Sequence, residues 1–247
     1  MDHTNNSCCC GEAEHFSGCL ICGAPITYRA ESSIQTCSIC HKEQLTNAVC
    51  ENSHFICDAC HSYGTYAPVI AALRDSTEKD ALLLLEKIMD LPSVHMHGPE
   101  HHVMVGAALL TAYKNAGGAI NLRESVMEML NRGKAVPGGT CGFWGACGAG
   151  ISAGMFVSIL SGATPLTEES WGLSNQMTSK ALEAISHTGG PRCCKRDSYL
   201  AILAAVDFVK THFGIEMECT EVQCTHYAQN NQCIGKRCPF WRFDDSI

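Results

Sequence analysis

The paired cysteines between residues 19 and 60 constrain this chain more than any other feature of its sequence. Three Cys-x2-Cys pairs and one Cys-x3-His pair lie in this segment: Cys19 and Cys22, Cys37 and Cys40, Cys50 and His54, and Cys57 and Cys60. Two thiolates on a tight turn bind one ion, and two such pairs complete a tetrahedral zinc site. The eight ligands therefore predict two zinc ions, which would replace a hydrophobic core in a segment that has little apolar periodicity.

The spacing leaves the pairing of these ligands open. In a sequential arrangement, Cys19, Cys22, Cys37 and Cys40 would bind one ion, and the four later ligands would bind the other. In a cross-brace, the first pair would join the third pair and the second would join the fourth. Modules of this kind usually have a structural role, so we expect the segment to dock a protein partner.

A second cysteine set lies near the C-terminus. Its members are Cys219, Cys224, Cys233 and Cys238, and Pro239 follows the last of them. A proline directly after a cysteine is typical of ferredoxin-like cluster ligands, although ferredoxin spacing is tighter. The set predicts one metal centre, with zinc and a [4Fe–4S] cluster both open. The wide x4 spacings do not form zinc knuckles, which favours the cluster.

Composition restricts the compartment and the partners. The 247 residues include 18 cysteines, and the chain opens on a polar stretch that does not resemble a signal peptide. We therefore expect the reducing cytoplasm, where paired cysteines ligate metal or do redox chemistry more often than they form bridges. The formal net charge of −8 argues against nucleic acid as a partner. Glycines and prolines interrupt the uncharged stretch 135–167, so no membrane span is predicted.

The sequence predicts a mainly α protein in four parts. A mobile tail with Cys8, Cys9 and Cys10 covers residues 1–17, and a small Cys/His zinc-binding module covers 18–64. An all-α helical domain of about five or six helices covers 65–213, where no alternating strand pattern is found. A Cys-rich metal-binding segment covers 214–247. The oligomeric state is not predicted.

Several helix starts in the middle part can be placed from capping residues. The expected starts are Asp80 preceded by Thr77, Pro99 in a first turn, Asn121 paired with Glu124, and Asp197 as the cap of the last long helix. A glycine-rich helix is expected from about Trp144 to Leu160. So many glycines imply that another backbone or a ligand approaches closely, because glycine costs a helix about 1 kcal/mol per residue against alanine.

Candidate catalytic residues lie at the predicted helix starts: Cys141, Cys147, Cys193, Cys194 and His101. A helix N-terminus biases a thiol towards thiolate, which is the argument for Cys147. The run Arg192-Cys193-Cys194-Lys195-Arg196 places three positive side chains beside two thiols. Such surroundings lower a thiol pKa, so reactive thiols or cluster ligands are expected there.

The sequence His95-Met-His97-Gly-Pro-Glu100-His101-His102 concentrates four imidazoles and a carboxylate. His95 and His97 could share a metal, and His101 or His102 could act as a general base or as a ligand. Glu100 could orient one imidazole. Whether these residues meet the cysteines of the helical domain does not follow from the sequence.

A resemblance to known families rests on these motifs. In the order CLICGAPITY, CENSHFICDACH, HMHGPEHH, GGTCGFWGACGAG, PRCC and CIGKRCPFW, the chain resembles an uncharacterised cysteine-rich family of anaerobic bacteria and archaea. The middle, with Cys141, Cys147 and Cys193-Cys194, is also similar to the C-GCAxxG-C-C family of redox proteins. Ser152 stands at the later glycine position of that motif. These resemblances imply a helical thiol or cluster domain and supply no established activity.

The first functional hypothesis is therefore a metal-binding protein of anaerobic redox or sulfur metabolism. It would hold zinc and an iron–sulfur cluster or reactive thiols, and a sulfur-transfer or redox enzyme is one form that it could take. The alternatives are a non-enzymatic, zinc-dependent interaction module and a metal chaperone. No Walker loop, dinucleotide fingerprint, Ser-His-Asp pattern or CxxxCxxC radical-SAM signature is found, so nucleotide-dependent chemistry is not expected.

Overall fold

A computed structural model describes residues 18–241, so the predicted cysteine tail at Cys8–Cys10 lies outside the described residues. The described part is mainly helical and contains one two-stranded antiparallel sheet. The predicted fold class is confirmed: a Cys/His segment precedes a helical domain, and a cysteine-bearing segment follows it.

The sheet is a hairpin of β1 (Ile26–Thr36) and β2 (Glu43–Cys50), whose register is irregular between Tyr28 and Ser33. The sequence analysis did not predict these strands, because most of their residues are exposed and show no clean apolar alternation. The buried cluster beside the hairpin consists of Cys37, Val49, Phe55 and Cys57. Two of these four residues are predicted zinc ligands, so this segment has little core apart from them.

The helices follow the hairpin in chain order. They are α1 (Asp58–His61), α2 (Tyr66–Arg74), α3 (Ala81–Met89), α4 (His101–Asn115), α5 (Leu122–Lys134), α6 (Thr140–Phe143), α7 (Gly148–Ser161), α8 (Glu169–Thr188) and α9 (Cys194–Phe213), and two 3-10 turns follow at Tyr227–Gln229 and Gly235–Arg237. Residues 65–213, all of which the structure describes, thus hold seven helices of nine or more residues and the short α6, more than the five or six predicted.

Helix α4 lies at the centre of the helical domain. It is buried on all sides from His101 to Tyr113, and it packs against α3, α5, α7 and α9. Helix α8 covers α7, where a Cβ at Gly154 would overlap the side chain of Thr178. The α7 glycines Gly150 and Gly154 therefore serve close packing against α8, which was one of the two uses expected for them.

Two of the predicted helix caps are confirmed. The Asp80 carboxylate accepts hydrogen bonds from the N–H groups of Leu82 and Leu83, and the Asn121 side chain accepts one from the N–H of Glu124. These side chains satisfy backbone donors that a helix N-terminus otherwise leaves unpaired.

Three other predicted starts were wrong. Helix α9 begins at Cys194, and Asp197 is not its cap but lies in the first turn, where it pairs with Arg196 at 2.9 Å. The glycine-rich helix begins at Gly148 rather than Trp144, because Gly145 takes a left-handed backbone conformation with φ of 65° and separates α6 from α7. Helix α4 begins two residues after Pro99.

Candidate metal sites and cysteine-lined cavities

The eight Cys/His ligands of the N-terminal segment assemble into two groups. Site 1 contains Cys19, Cys22, Cys50 and His54, and site 2 contains Cys37, Cys40, Cys57 and Cys60; within each, one ligand atom per residue lies within 4.8 Å of all the others. The first pair joins the third and the second joins the fourth. The arrangement is therefore the cross-brace, and the sequential alternative is excluded.

The distances within both sites suit a tetrahedral ion. In site 1, the Cys22 and Cys50 sulfurs are 3.9 Å apart, and His54 Nδ1 lies 3.3 Å from Cys22 Sγ. In site 2, the Cys40 and Cys57 sulfurs are 3.8 Å apart. Four ligands around zinc with Zn–S bonds of about 2.3 Å place their sulfurs about 3.8 Å from one another. Both sites are thus compatible with zinc binding.

The two Cys-x2-Cys turns that open the sites have the same backbone. Gly23 N–H donates to the Cys19 carbonyl at 2.7 Å, and His41 N–H donates to the Cys37 carbonyl at 2.9 Å. Gly23 and His41 both have positive φ, at 71° and 59°. His41 is therefore the counterpart of Gly23 at the end of the turn, and its place beside a ligand reflects the backbone of the knuckle.

Backbone donors favour the thiolate form of one cysteine in each site, whereas burial raises the pKa of Cys19, Cys57 and Cys60. Burial acts to raise the pKa of Cys37, but hydrogen bonds from backbone N–H groups, including that of Cys40, outweigh it and lower the pKa to about 6. The pKa of Cys22 is also lowered to about 6, chiefly by the N–H of Ala24. Hydrogen bonds to the charged form favour it, and the thiolate is the form that binds metal.

A cavity of about 400 Å³, here called the central cavity, lies between the Cys/His segment and the helical domain. The segment contributes Tyr28, Asp58 and His61 to its lining, and the helical domain contributes His97, His102, Cys141, Arg192 and Cys194. The Asp58 carboxylate fixes the two walls together, because it accepts a 2.7 Å hydrogen bond from the N–H of Gly138. Histidines of the 95–102 segment do meet cysteines of the helical domain: His97 and His102 line this cavity together with Cys141 and Cys194.

The predicted catalytic residues are divided between different places. Cys141 and Cys194 line the central cavity, but His101 and Cys147 do not. His101 is buried and its ring lies 3.1 Å from the Gly98 carbonyl oxygen, whereas the neighbouring His102 reaches the cavity. Sequence reasoning left the choice between the two histidines open, because only the rotation of α4 decides which imidazole faces the cavity.

A motif glycine explains how His102 fits. A Cβ at Gly148 would overlap the His102 imidazole, so glycine at the start of α7 permits the contact. His102 Nδ1 lies 3.0 Å from the Val136 carbonyl oxygen, which fixes the ring from its other side. Gly148, which follows Cys147, therefore leaves the room that places His102 at the central cavity.

The expected activation of the helical-domain thiols was wrong. Burial raises the pKa of Cys147 to about 12 and that of Cys193 to about 11, and it also raises the pKa of Cys194. The nearby Asp197 carboxylate adds to the rise at Cys147. Desolvation thus raises the pKa of these thiols more than the helix N-terminus and the adjacent cations lower it. The sequence shows the helix start and the cations but not the burial.

A second, smaller cavity, here called the C-terminal cavity, brings four cysteines together. It is lined by Cys193 from the start of α9 and by Cys224, Cys233 and Cys238 from the C-terminal segment. Among the described residues, no three of these sulfurs lie within 4.8 Å of one another. This spacing is wider than that of sites 1 and 2.

The predicted C-terminal set therefore changes by one member. Cys219 does not line the C-terminal cavity; it is exposed and lies near the carboxylates of Asp80 and Asp207. Cys193 takes its place, although 31 residues separate it from Cys224 in sequence. Regular spacing suggested Cys219, and no local signal could connect the start of α9 with the C-terminal segment.

A third ligand group, here called the His–Glu cluster, contains His61, His95 and Glu100. His95 was predicted to share a metal with His97, but His97 Nε2 instead lies 3.2 Å from the Asn230 side-chain oxygen. Burial acts to raise the pKa of Glu100, but the imidazoles of His61 and His95, 3.7 Å and 3.2 Å from its carboxylate oxygens, hold it well below its usual value. The buried carboxylate is therefore ionised.

These features define a class: a mainly helical protein whose Cys/His clusters could bind metal, with cysteine-lined cavities beside them. Comparison with known families then places the chain. Residues 69–241 match the model of a family of unknown function, DUF5714, and the chain belongs to that family. No match was found among curated proteins or among solved structures.

The matched range begins after sites 1 and 2 and covers the helical domain and the C-terminal cysteines. The cysteines of the C-terminal cavity lie inside the matched range, and the cross-brace lies outside it. In the part of the chain that the structure describes, no helix is long and apolar enough to cross a bilayer.

Proposed function

We propose that this protein is an iron–sulfur redox protein whose [4Fe–4S] cluster is bound by Cys193, Cys224, Cys233 and Cys238. The observation that carries the proposal is the convergence of these four thiols on the C-terminal cavity. Four cysteine thiolates are the usual ligand set of such a cluster. The two zinc-compatible sites would stabilise the neighbouring segment and take no part in electron transfer.

The spacing of the sulfurs favours a cluster over a third zinc ion. A tetrahedral zinc ion would draw the four sulfurs to about 3.8 Å from one another, as in sites 1 and 2. No three of the four described sulfurs lie within 4.8 Å of one another. A cubane cluster separates its ligand sulfurs more widely than zinc does, and the C-terminal cavity, at about 20 Å³, would have to widen to hold one.

Hydrogen bonds to the sulfurs also support a cluster. Each sulfur accepts one from a backbone N–H: Arg196 donates to Cys193, His226 to Cys224, Gly235 to Cys233 and Phe240 to Cys238. The side-chain amide of Asn230 lies 3.6 Å from Cys193 Sγ. Burial still raises the pKa of Cys193, Cys224 and Cys238, but these bonds favour the thiolate form and would raise the reduction potential of a cluster.

The buried positive charge of Lys195, two residues after Cys193, is compatible with an anionic cluster in the C-terminal cavity. Lys195 is fully buried and donates at 3.0 Å to the Met89 carbonyl oxygen rather than to a carboxylate. Burial lowers its pKa to about 8, whereas the Glu100 carboxylate, Cys194, Asp90 and Cys193 act, in that order, to raise it. A buried cation is costly without a nearby anion. Glu100 and Asp90 already supply negative charge, and a cluster with four thiolate ligands would add to it.

Contacts between the two cavities suggest a path for the electron. Cys193 lines the C-terminal cavity, and the next residue, Cys194, lines the central cavity. A second connection runs from His97 in the central cavity through Asn230 to Cys193. A cluster held by the four cysteines would supply one-electron chemistry, and Cys194 and the His97–Asn230 contact would connect it to a molecule bound in the central cavity.

A matched pair of cysteine variants tests the ligand set. Cys193→Ser is expected to lose most of the iron and acid-labile sulfide of protein prepared without oxygen, with its absorbance near 400 nm. Cys219→Ser is expected to keep all three, because Cys219 lies outside the C-terminal cavity. Loss of iron from Cys219→Ser with retention in Cys193→Ser would overturn the assignment.

A second candidate function is a zinc-dependent docking module without redox activity. The observation in its favour is an exposed apolar pair on the hairpin: Ile34 and Leu45 face each other across the strands and are 67% and 64% exposed. Exposed apolar groups on a small module are typical of a contact surface for a protein partner. Protein that contains zinc but neither iron nor sulfide would favour this candidate.

A further inference from the structure

We propose that the His–Glu cluster is a third metal site, which binds one divalent transition-metal ion beside the central cavity. His95 Nδ1 lies 3.2 Å from Glu100 Oε1, and His61 Nδ1 lies 3.7 Å from Glu100 Oε2. The three ligand atoms all lie within 4.8 Å of one another. Two imidazole nitrogens and one carboxylate at such distances can share one ion.

The burial of Glu100 is the second observation that points to a ligand. Its side chain is fully buried, and Oε2 has no hydrogen-bond partner among the residues that the structure describes. The facing atom, His61 Nδ1, is also buried without a hydrogen-bond partner in that part of the chain. Buried polar atoms normally have a hydrogen-bond partner, and these two atoms, 3.7 Å apart, are too far apart to supply one to each other. An ion between these two atoms would satisfy both.

The backbone around the cluster fits this role. A Cβ at Gly98 would overlap the Glu100 carboxylate, so glycine leaves room for the carboxylate where it lies. The His95 N–H donates to Glu100 Oε1 at 3.0 Å and holds that oxygen beside the His95 ring. The rings of His61 and His95 are in contact, with centroids 4.4 Å apart. The three ligands are therefore positioned by the fold before any ion binds.

The ligand set differs in kind from sites 1 and 2. Those sites have four protein ligands and are closed, which is typical of structural zinc. Two histidines and one carboxylate leave open positions, as in catalytic zinc and non-haem iron sites. His61 connects the two kinds of site, because it follows the site 2 ligand Cys60 in sequence and lines the central cavity.

The surroundings indicate what the open positions would take. Arg192 also lines the central cavity, and its Nε has no hydrogen-bond partner among the described residues. A divalent ion and a guanidinium in one cavity both favour anionic oxygen. The third site therefore suits a small carboxylate or another oxyanion, which the metal would polarise.

Cobalt titration of protein whose sites 1 and 2 are filled with zinc tests the proposal. The wild-type protein is expected to bind one equivalent of Co²⁺ with weak visible bands and without intense sulfur-to-cobalt charge-transfer bands. Glu100→Gln and His95→Gln are expected to reduce this affinity at least tenfold and to keep two zinc ions. The matched control is His187→Gln, an exposed histidine on α8, which should bind Co²⁺ like the wild type.

Two results would overturn the third site. They are no cobalt binding with weak bands by the wild type, and unchanged binding of this kind by the folded His95→Gln variant. If Glu100→Gln fails to fold, His95→Gln still decides, because His95 is partly exposed and its loss leaves the buried carboxylate in place. Iron in the C-terminal cavity does not enter the cobalt count, so this test is independent of the proposed cluster.

Discussion

Replacing Cys37 with serine is expected to release one of the two zinc ions and to unfold much of residues 18–64, while the helical domain stays folded. The buried cluster of this segment contains four residues, and Cys37 and Cys57 are two of them. The helical core is a separate cluster that does not include these residues. Structural zinc contributes on the order of 10 kcal/mol to the folding of small modules, far more than two apolar side chains can replace.

Zinc content and amide hydrogen exchange check this expectation together. The variant should hold one zinc ion, and exchange protection should be lost in β1 and β2 but kept in α4 and α7. The matched control is Cys141→Ser, which changes a cysteine outside both sites and should keep two zinc ions. A Cys37→Ser protein with two zinc ions and full protection would show that the cross-brace assignment is wrong.

Acidification is expected to destabilise the fold through the buried, neutral His97. Burial lowers the pKa of His97 to about 4, and Arg192 adds to this effect. The unfolded chain takes up a proton at His97 below pH 6.5, whereas the folded chain does so only near pH 4. The stability that His97 contributes is therefore complete above pH 6.5 and is lost as the pH falls towards 4. The loss is on the order of 3 kcal/mol.

Urea unfolding of His97→Gln measures this contribution. Glutamine can keep a contact with Asn230 but does not titrate, so the variant should gain stability relative to the wild type as the pH falls from 7 to 4. Acid loss of zinc affects both proteins alike and cancels in the difference. The control is His187→Gln, at an exposed position, which should gain no stability relative to the wild type as the pH falls. If the free energies of unfolding of wild type and His97→Gln differ by the same amount from pH 7 to pH 4, His97 does not cause the loss of stability in acid.

The sequence predicted those parts of the molecule that are encoded locally. The ligands of sites 1 and 2 are recognisable because only two or three residues lie between the members of each pair and the turn between them is short. Asp80 and Asn121 were identified as caps for the same reason: a cap acts on N–H groups within three residues. The mainly helical middle followed from apolar periodicity over many turns.

What the sequence could not predict depends on contacts between distant residues. Cys193 joins three C-terminal cysteines only because α9 begins beside the C-terminal segment. His61 and Glu100 meet because α1 lies against the loop before α4. The thiol pKa values were predicted with the wrong sign, since helix ends and neighbouring cations are visible in sequence and burial is not.

The central claim is that the C-terminal cavity binds a [4Fe–4S] cluster, and a metal and sulfide analysis tests it most directly. Iron, acid-labile sulfide and zinc should be measured on the full chain, purified without oxygen after reconstitution with ferrous iron and sulfide. We expect about four sulfide and four cluster iron per chain, one further metal ion in the third site, and two zinc ions in sites 1 and 2. No sulfide, and a zinc ion that is lost with Cys193→Ser, would show that the four cysteines form a zinc site and would contradict the proposed function.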